Sequence, residues 1–114
     1  MAKVRVKTKT ELLGEAIASI QNTAEAIEFL QEFCSRKELK SMKHRWTILH
    51  ALALNERLPP GKRQTNKRIS QDLGVGEGTV GKVKAEIYEA NSTARRVVDS
   101  QIDKRSKIRE NPGK

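Results

Sequence analysis

Few residues in this 114-residue chain could make or break a bond: one cysteine, Cys34, and two histidines, His44 and His50. A single cysteine closes no internal disulfide and supplies no thiolate cluster for a metal. The histidines are six apart and so lie on different faces of a helix, which makes them poor co-ligands. No Ser/His/Asp or Cys/His grouping is suggested by spacing, which leaves an enzyme as the weakest of the functional classes. The abundant chemistry is positive charge. Lysines and arginines number 23 against 14 acidic side chains, a net charge of +9. Residues 1–35 carry four basic and five acidic side chains, residues 36–84 twelve and four, and residues 85–114 seven and five. The excess is therefore central. A concentrated positive field suits a polyanion, whose phosphates release counterions on contact. Charge alone is equally compatible with a solvated helix face, so placement along the fold has to decide.

Only 36% of the residues are hydrophobic, below the roughly 45–50% of ordinary globular chains. A single small domain without a large private core is expected, of marginal stability unless its helices are long or a second chain helps. No window approaches the ~18 apolar residues of a membrane span. The basic start, Met1–Lys9, meets Glu11 with no apolar stretch between, unlike a signal peptide. A reducing cytoplasm is the expected compartment. No metal and no cofactor is expected.

The elements that must carry the charge read as helices. Leu12, Leu13, Ala16, Ile17 and Ile20 recur at helical spacing. Asn22 or Thr23 caps a second helix with Ala26, Ile27, Leu30 and Phe33, and Cys34 beyond it reads as a small buried hydrophobe. Ser35-Arg36-Lys37-Glu38 is a capping box, which opens a helix bearing Leu39, Met42, Trp46, Leu49 and Ala53. Trp46 reads as a core or dimer residue. A second stripe, Ile48, Ala51, Leu52 and Leu54, asks for burial on more than one side. Leu58-Pro59-Pro60-Gly61 ends the helix, and Lys62-Arg63-Gln64 follows in an exposed loop. The only early strand candidate, Val4–Thr8, is short and lysine-rich. Residues 1–9 and 108–114 read as loose ends.

The stretch Thr65–Tyr88, TNKRISQDLGVGEGTVGKVKAEIY, combines several agreeing signals. Thr65 caps a short helix whose Ile69 and Leu73 face inward, with small Ser70 between them. Gly74 stands where a tight corner needs positive φ, and Val75 plugs the angle. A second helix, from Glu77 or Gly78, turns Val80, Val83 and Ile87 inward. These offsets are what two helices crossing at roughly 90–120° require. The alternating Gly74, Gly76 and Gly78 fit a turn, because no strand precedes them and no Gly-Lys-Ser/Thr follows. In a DNA-binding unit the second helix enters the major groove. Thr79, Lys82 and Gly78 are then the candidate base contacts, since lysine donates to guanine and a threonine methyl touches thymine. Lys62, Arg63, Lys67, Arg68 and Lys84 are placed for phosphates, which fix register without reading sequence.

Cys34-Ser35-Arg36-Lys37-Glu38-Leu39, a long helix containing His44-Arg45, and KRISQDLGVGEGTVGKVK together resemble the Trp repressor superfamily over residues 23–100. The resemblance implies an all-helical, intertwined homodimer and a bacterial-type transcriptional regulator, of repressor type, on a two-fold operator. In tryptophan-binding members, an arginine of the central helix and an arginine–glycine pair of the second helix sandwich the indole. Arg45 matches the first. The pair reads Lys82-Val83 here, so lysine replaces the flat guanidinium and valine fills space the ring needs. Ser35, Arg45 and Lys82 mark the expected ligand pocket, with the effector left open and tryptophan disfavoured.

The expected organisation is one all-α domain, residues 1–114. It comprises dimerisation helices (10–64), a helix-turn-helix (65–90) and a C-terminal helix (92–110). Asn91-Ser92-Thr93 is a further cap, after which that last helix carries Ala94, Val97, Val98, Ile102 and Ile108. Its Arg95-Arg96 and Lys104-Arg105-Lys107 groups serve either phosphates or solvent. Double-stranded DNA and a second copy of the chain are the expected partners, without a membrane. The rival is a helical module for a protein or RNA partner, in which the hairpin is merely structural.

Overall fold

Short polar side chains start the helices. In the computed structural model, which describes residues 8–90 and 92–110 (the side chains of 106–110 excepted), there are six α-helices and no strand. Thr8 opens α1 (Lys9–Ala18), its hydroxyl accepting from Glu11 N at 3.1 Å. Asn22 opens α2 (Thr23–Phe33), its carbonyl accepting from Glu25 N at 2.8 Å. The capping box opens α3 (Arg36–Glu56): Ser35 N donates to Glu38 Oε1 at 2.9 Å, and Glu38 N donates to Ser35 Oγ at 3.1 Å. Each bond satisfies an amide that the helix itself leaves without an acceptor.

The backbone and hydroxyl hydrogen bonds of Ser35 hold the Glu38 carboxyl below its ordinary range. Its contribution is therefore complete above the unfolded pKa, near 4.3, and fades as pH falls through the lowered folded value. In Glu38→Gln, stability should lose that part of its dependence on pH on the acid side of the unfolded carboxylate pKa. Denaturation midpoints across that range check this, and parallel curves for the two proteins would contradict it.

The chain divides into two compact units at Lys40/Ser41, within α3. In the first, no residue of α1 or α2 is buried. Leu12 is 56% exposed, Ile17 54%, Ile27 50% and Phe33 67%, although Phe33 stacks on Phe29 at 5.4 Å. The apolar stripes form as expected, yet one chain does not cover them. Cys34, expected buried, is half-buried, because α2 ends on it in extended backbone and no buried residue of that helix lies behind it.

The second unit holds the core. Ile48, Leu49, Leu52 and Ala53 of α3 pack with Ile69 of α4 (Asn66–Leu73), Val80 and Val83 of α5 (Glu77–Val83), Tyr88, and Val98 and Ile102 of α6 (Thr93–Glu110). Burying each large aliphatic side chain contributes about 1.5–3 kcal/mol. The two apolar stripes of α3 are thus buried along their shared seam, whereas the flanking Met42 and Leu54 stay 45% and 46% exposed. Trp46 is half-buried, and its Nε1 donates to Gln101 Oε1 of α6 at 3.1 Å.

After α3 the loop is pinned rather than open. Pro60–Lys62 forms one 3₁₀ turn, Asn55 Nδ2 donates to Gln64 O at 3.0 Å, and Gln64 N returns to Asn55 Oδ1 at 2.8 Å. Lys9 and residues 108–110, read as loose from sequence, have helical backbone. Residues 1–7, Asn91, residues 111–114 and the Ile108 side chain lie outside the described residues, and with them most of the Val4–Thr8 strand candidate.

Candidate nucleic-acid interface

The corner between α4 and α5 is built from its own sequence. Thr65 Oγ1 accepts from Arg68 N at 3.2 Å and fixes the start of α4. At the far end Gly74 takes φ = 70°, the left-handed region where a side chain is strained. That turn lets Gly74 N donate to Gln71 O at 3.4 Å and Val75 N to Ser70 O at 3.0 Å. The paired bonds are a Schellman motif, which closes the carbonyl end of α4. Ser70 is buried and donates to Lys67 O at 2.6 Å, so its polar atom is satisfied inside the corner. Val75 is half-buried against the core, as its plugging role requires.

From this corner α5 presents two faces. Val80 and Val83 are 0% and 5% exposed and anchor the inner face. Glu77, Gly78, Thr79 and Lys82 are exposed on the outer side, and Gly81 and Lys84 are half-buried. A Cβ built at Gly78 or Gly81 would meet nothing within 4 Å. Packing in the chain therefore does not require these two glycines, although each weakens the helix by about 1 kcal/mol relative to alanine. Their lack of side chains leaves bare backbone beside Lys82, on the side of it away from Thr79.

The basic residues expected at phosphates divide into two groups. Lys62, Lys67 and Arg68 are exposed, and Arg68 makes an open pair with Asp72 at 3.2 Å. Arg63 is exposed as well, but it donates from Nε to Leu58 O and from Nη2 to Glu56 O, both at 3.0 Å, and so closes the C-terminal end of α3. Lys84 lines a hollow together with Arg63, Tyr88 and Arg95. Of the expected ligand-pocket residues, Ser35 serves as the cap of α3 and Arg45 is exposed, donating to Ser41 one turn back at 3.3 Å. Lys82 is exposed on α5, and Val83 beside it is core.

Tyr88, which sequence reasoning passed over, and Arg95, which it read only as half of a basic pair, shape the exit from α5. Tyr88 is buried at 6% exposure, and Arg95 lies over its ring at 4.3 Å from the centroid. The signal for Tyr88 is its interval from Val83: five residues, which an α-helix does not place on one face. The backbone supplies the difference as a π-turn over Lys84–Tyr88. Arg57, at the end of α3, donates to Asp103 at 2.7 Å and Asp99 at 3.3 Å. The Asp103 hydrogen bond raises the Arg57 pKa further and keeps the guanidinium charged.

A bent pair of helices with a bare, basic outer face is the architecture of a helix-turn-helix DNA-binding protein. The model of the Trp repressor protein family matches residues 8–102, and the chain belongs to that family of DNA-binding helix-turn-helix regulators. No curated protein and no solved structure matches the chain. No described helix is long and apolar enough to cross a membrane, and the described residues contain no His/Cys/Asp/Glu group that could hold a metal ion.

Proposed function

We propose that the chain is a cytoplasmic, sequence-specific transcriptional regulator that represses by binding a two-fold operator as a homodimer. The observation that carries this reading is the outward face of α5. Thr79 and Lys82, three apart, stay exposed while Val80 and Val83 beside them are sealed in the core. One subunit offers α5 to each half-site, with a spacing of about 34 Å, one turn of DNA. Lys62, Lys67 and Arg68 hold the phosphates, with Arg63 and Lys84 at the margin of that set. The uncovered apolar side chains of α1 and α2 support the second subunit, since such stripes are stable when another chain buries them. Tryptophan has no part in this reading, because Val83 belongs to the core and Lys82 lacks a planar guanidinium.

Selection of bound duplexes from a random pool tests the proposal, and a two-fold-symmetric site should be enriched. Absence of any enriched duplex would favour a helical module for protein or RNA. With the selected site in hand, Lys82→Ala should cost about 1–3 kcal/mol of discrimination at one base-pair position and relax preference there. A profile in which every position weakens equally would place Lys82 on the phosphates instead.

A further inference from the structure

The turn that ends α5 is wider than an α-turn. Glu89 N reaches back five residues to Lys84 O at 2.7 Å, the π-type bond that brings Tyr88 onto the inner face already occupied by Val83. Such turns are rare and occur mostly singly inside α-helices, and this one is held by surrounding contacts. Here those contacts converge on one side chain. The Arg95 guanidinium lies 4.3 Å from the Tyr88 ring centroid, its Nη1 donates to Tyr88 O at 3.2 Å, and its Nη2 donates to Glu56 Oε2 of α3 at 3.3 Å. Its Nε is 3.9 Å from Asp99 Oδ2, and Arg57 holds Asp99 from the other side at 3.3 Å. Ser92 Oγ completes the closure, donating to Ile87 O at 2.8 Å and accepting from Arg95 N at 3.2 Å. Arg95 thus joins the wide turn, the last turn of α3 and the first turn of α6.

We propose that Arg95 is a positioning residue for base reading: it latches the π-turn to α3 and so fixes the direction in which α5 presents Thr79 and Lys82. The inference rests on the DNA-binding reading of α5 and assigns Arg95 no contact with DNA. A ring stack combined with two hydrogen bonds from separate guanidinium nitrogens needs the planar fork, which lysine lacks. Arg95→Lys therefore keeps the charge and removes the geometry. A phosphate-binding role would survive that exchange, whereas a latch would not.

The test compares affinity for the selected duplex with affinity for a scrambled duplex at fixed salt, in wild-type, Arg95→Lys and Glu56→Gln proteins of the full chain. Hydrogen exchange of the amides of residues 84–89 is followed in parallel. The expected result for Arg95→Lys is about a tenfold fall in the ratio of the two affinities. Scrambled-duplex binding should stay within about twofold, and the amides of 84–89 should exchange about tenfold faster. Glu56→Gln, which removes one tie at an exposed carboxylate, should move both readouts the same way by about threefold and keeps the test alive if the lysine variant does not fold. Unchanged exchange and an unchanged ratio in both variants would overturn the latch. So would equal losses on the two duplexes, which point to a phosphate contact. If the wild-type chain prefers no duplex, the DNA reading has failed on its own, and unaltered exchange in the variants would then also remove the latch.

Discussion

Replacing Ile48 with alanine should lower stability by about 2–5 kcal/mol, the largest loss expected from shortening one side chain here. Ile48 is 0% exposed at the centre of a core shared by α3, α4, α5 and α6. The loss combines the transfer of the removed methyl groups with the cavity left among neighbours that already touch. Against a total of about 5–15 kcal/mol for domains of ordinary stability, it would leave the helix-turn-helix poorly supported. Urea denaturation at one fixed protein concentration measures it, since association in the proposed dimer would contribute to apparent stability. A cost below about 1 kcal/mol would mean that Ile48 does not occupy the closed position described.

Much of the architecture behind that result is local, which explains why it was legible without coordinates. Thr65, Gly74 and the Ser35–Glu38 box each act within four or five residues of themselves, so residue type and spacing are sufficient to announce them. The outer face of α5 was legible in part for a related reason: burial of Val80 and Val83 obliges Lys82 to face away, whereas Thr79, one turn before Val83, is exposed in the first turn of the helix. Other features depend on residues distant in the chain. Arg63 looked like an open cation because nothing adjacent shows that the carbonyls of Glu56 and Leu58 turn towards it. Arg95 looked like half of a basic pair, although its carboxylate partner Glu56 is 39 residues away. Tyr88 was missed because strict α-periodicity leaves it off the inner face, and only a change of helical register brings it there.

Neutralising the open cations should produce the largest effect on DNA binding. Lys62→Ala, Lys67→Ala and Arg68→Ala combined remove three exposed positive charges from each subunit. At about 0.9 counterions per phosphate contact, six contacts per dimer should flatten the dependence of log affinity on log salt by about 5. Affinity at moderate salt should fall by about a hundredfold or more. Selected and scrambled duplexes should suffer alike, because these side chains orient the protein without reading bases. The fold should be nearly indifferent, since the ion pair of Arg68 with Asp72 is open to solvent and contributes about 0.3–0.5 kcal/mol. Filter-binding isotherms at several salt concentrations give both slope and affinity. A slope equal to that of the parent protein would show that the phosphates are held elsewhere.

The uncovered stripes of α1 and α2 also have a consequence for dosage. In the proposed dimer, Leu12, Ile17, Ile27 and Phe33 find cover when two polypeptides meet, so folding of this region becomes second order in the amount of protein made. Dilution would then loosen the N-terminal helices and dissociate the reader of the operator in one step. Promoter occupancy would rise more steeply than in proportion to synthesis, giving a threshold without any added ligand.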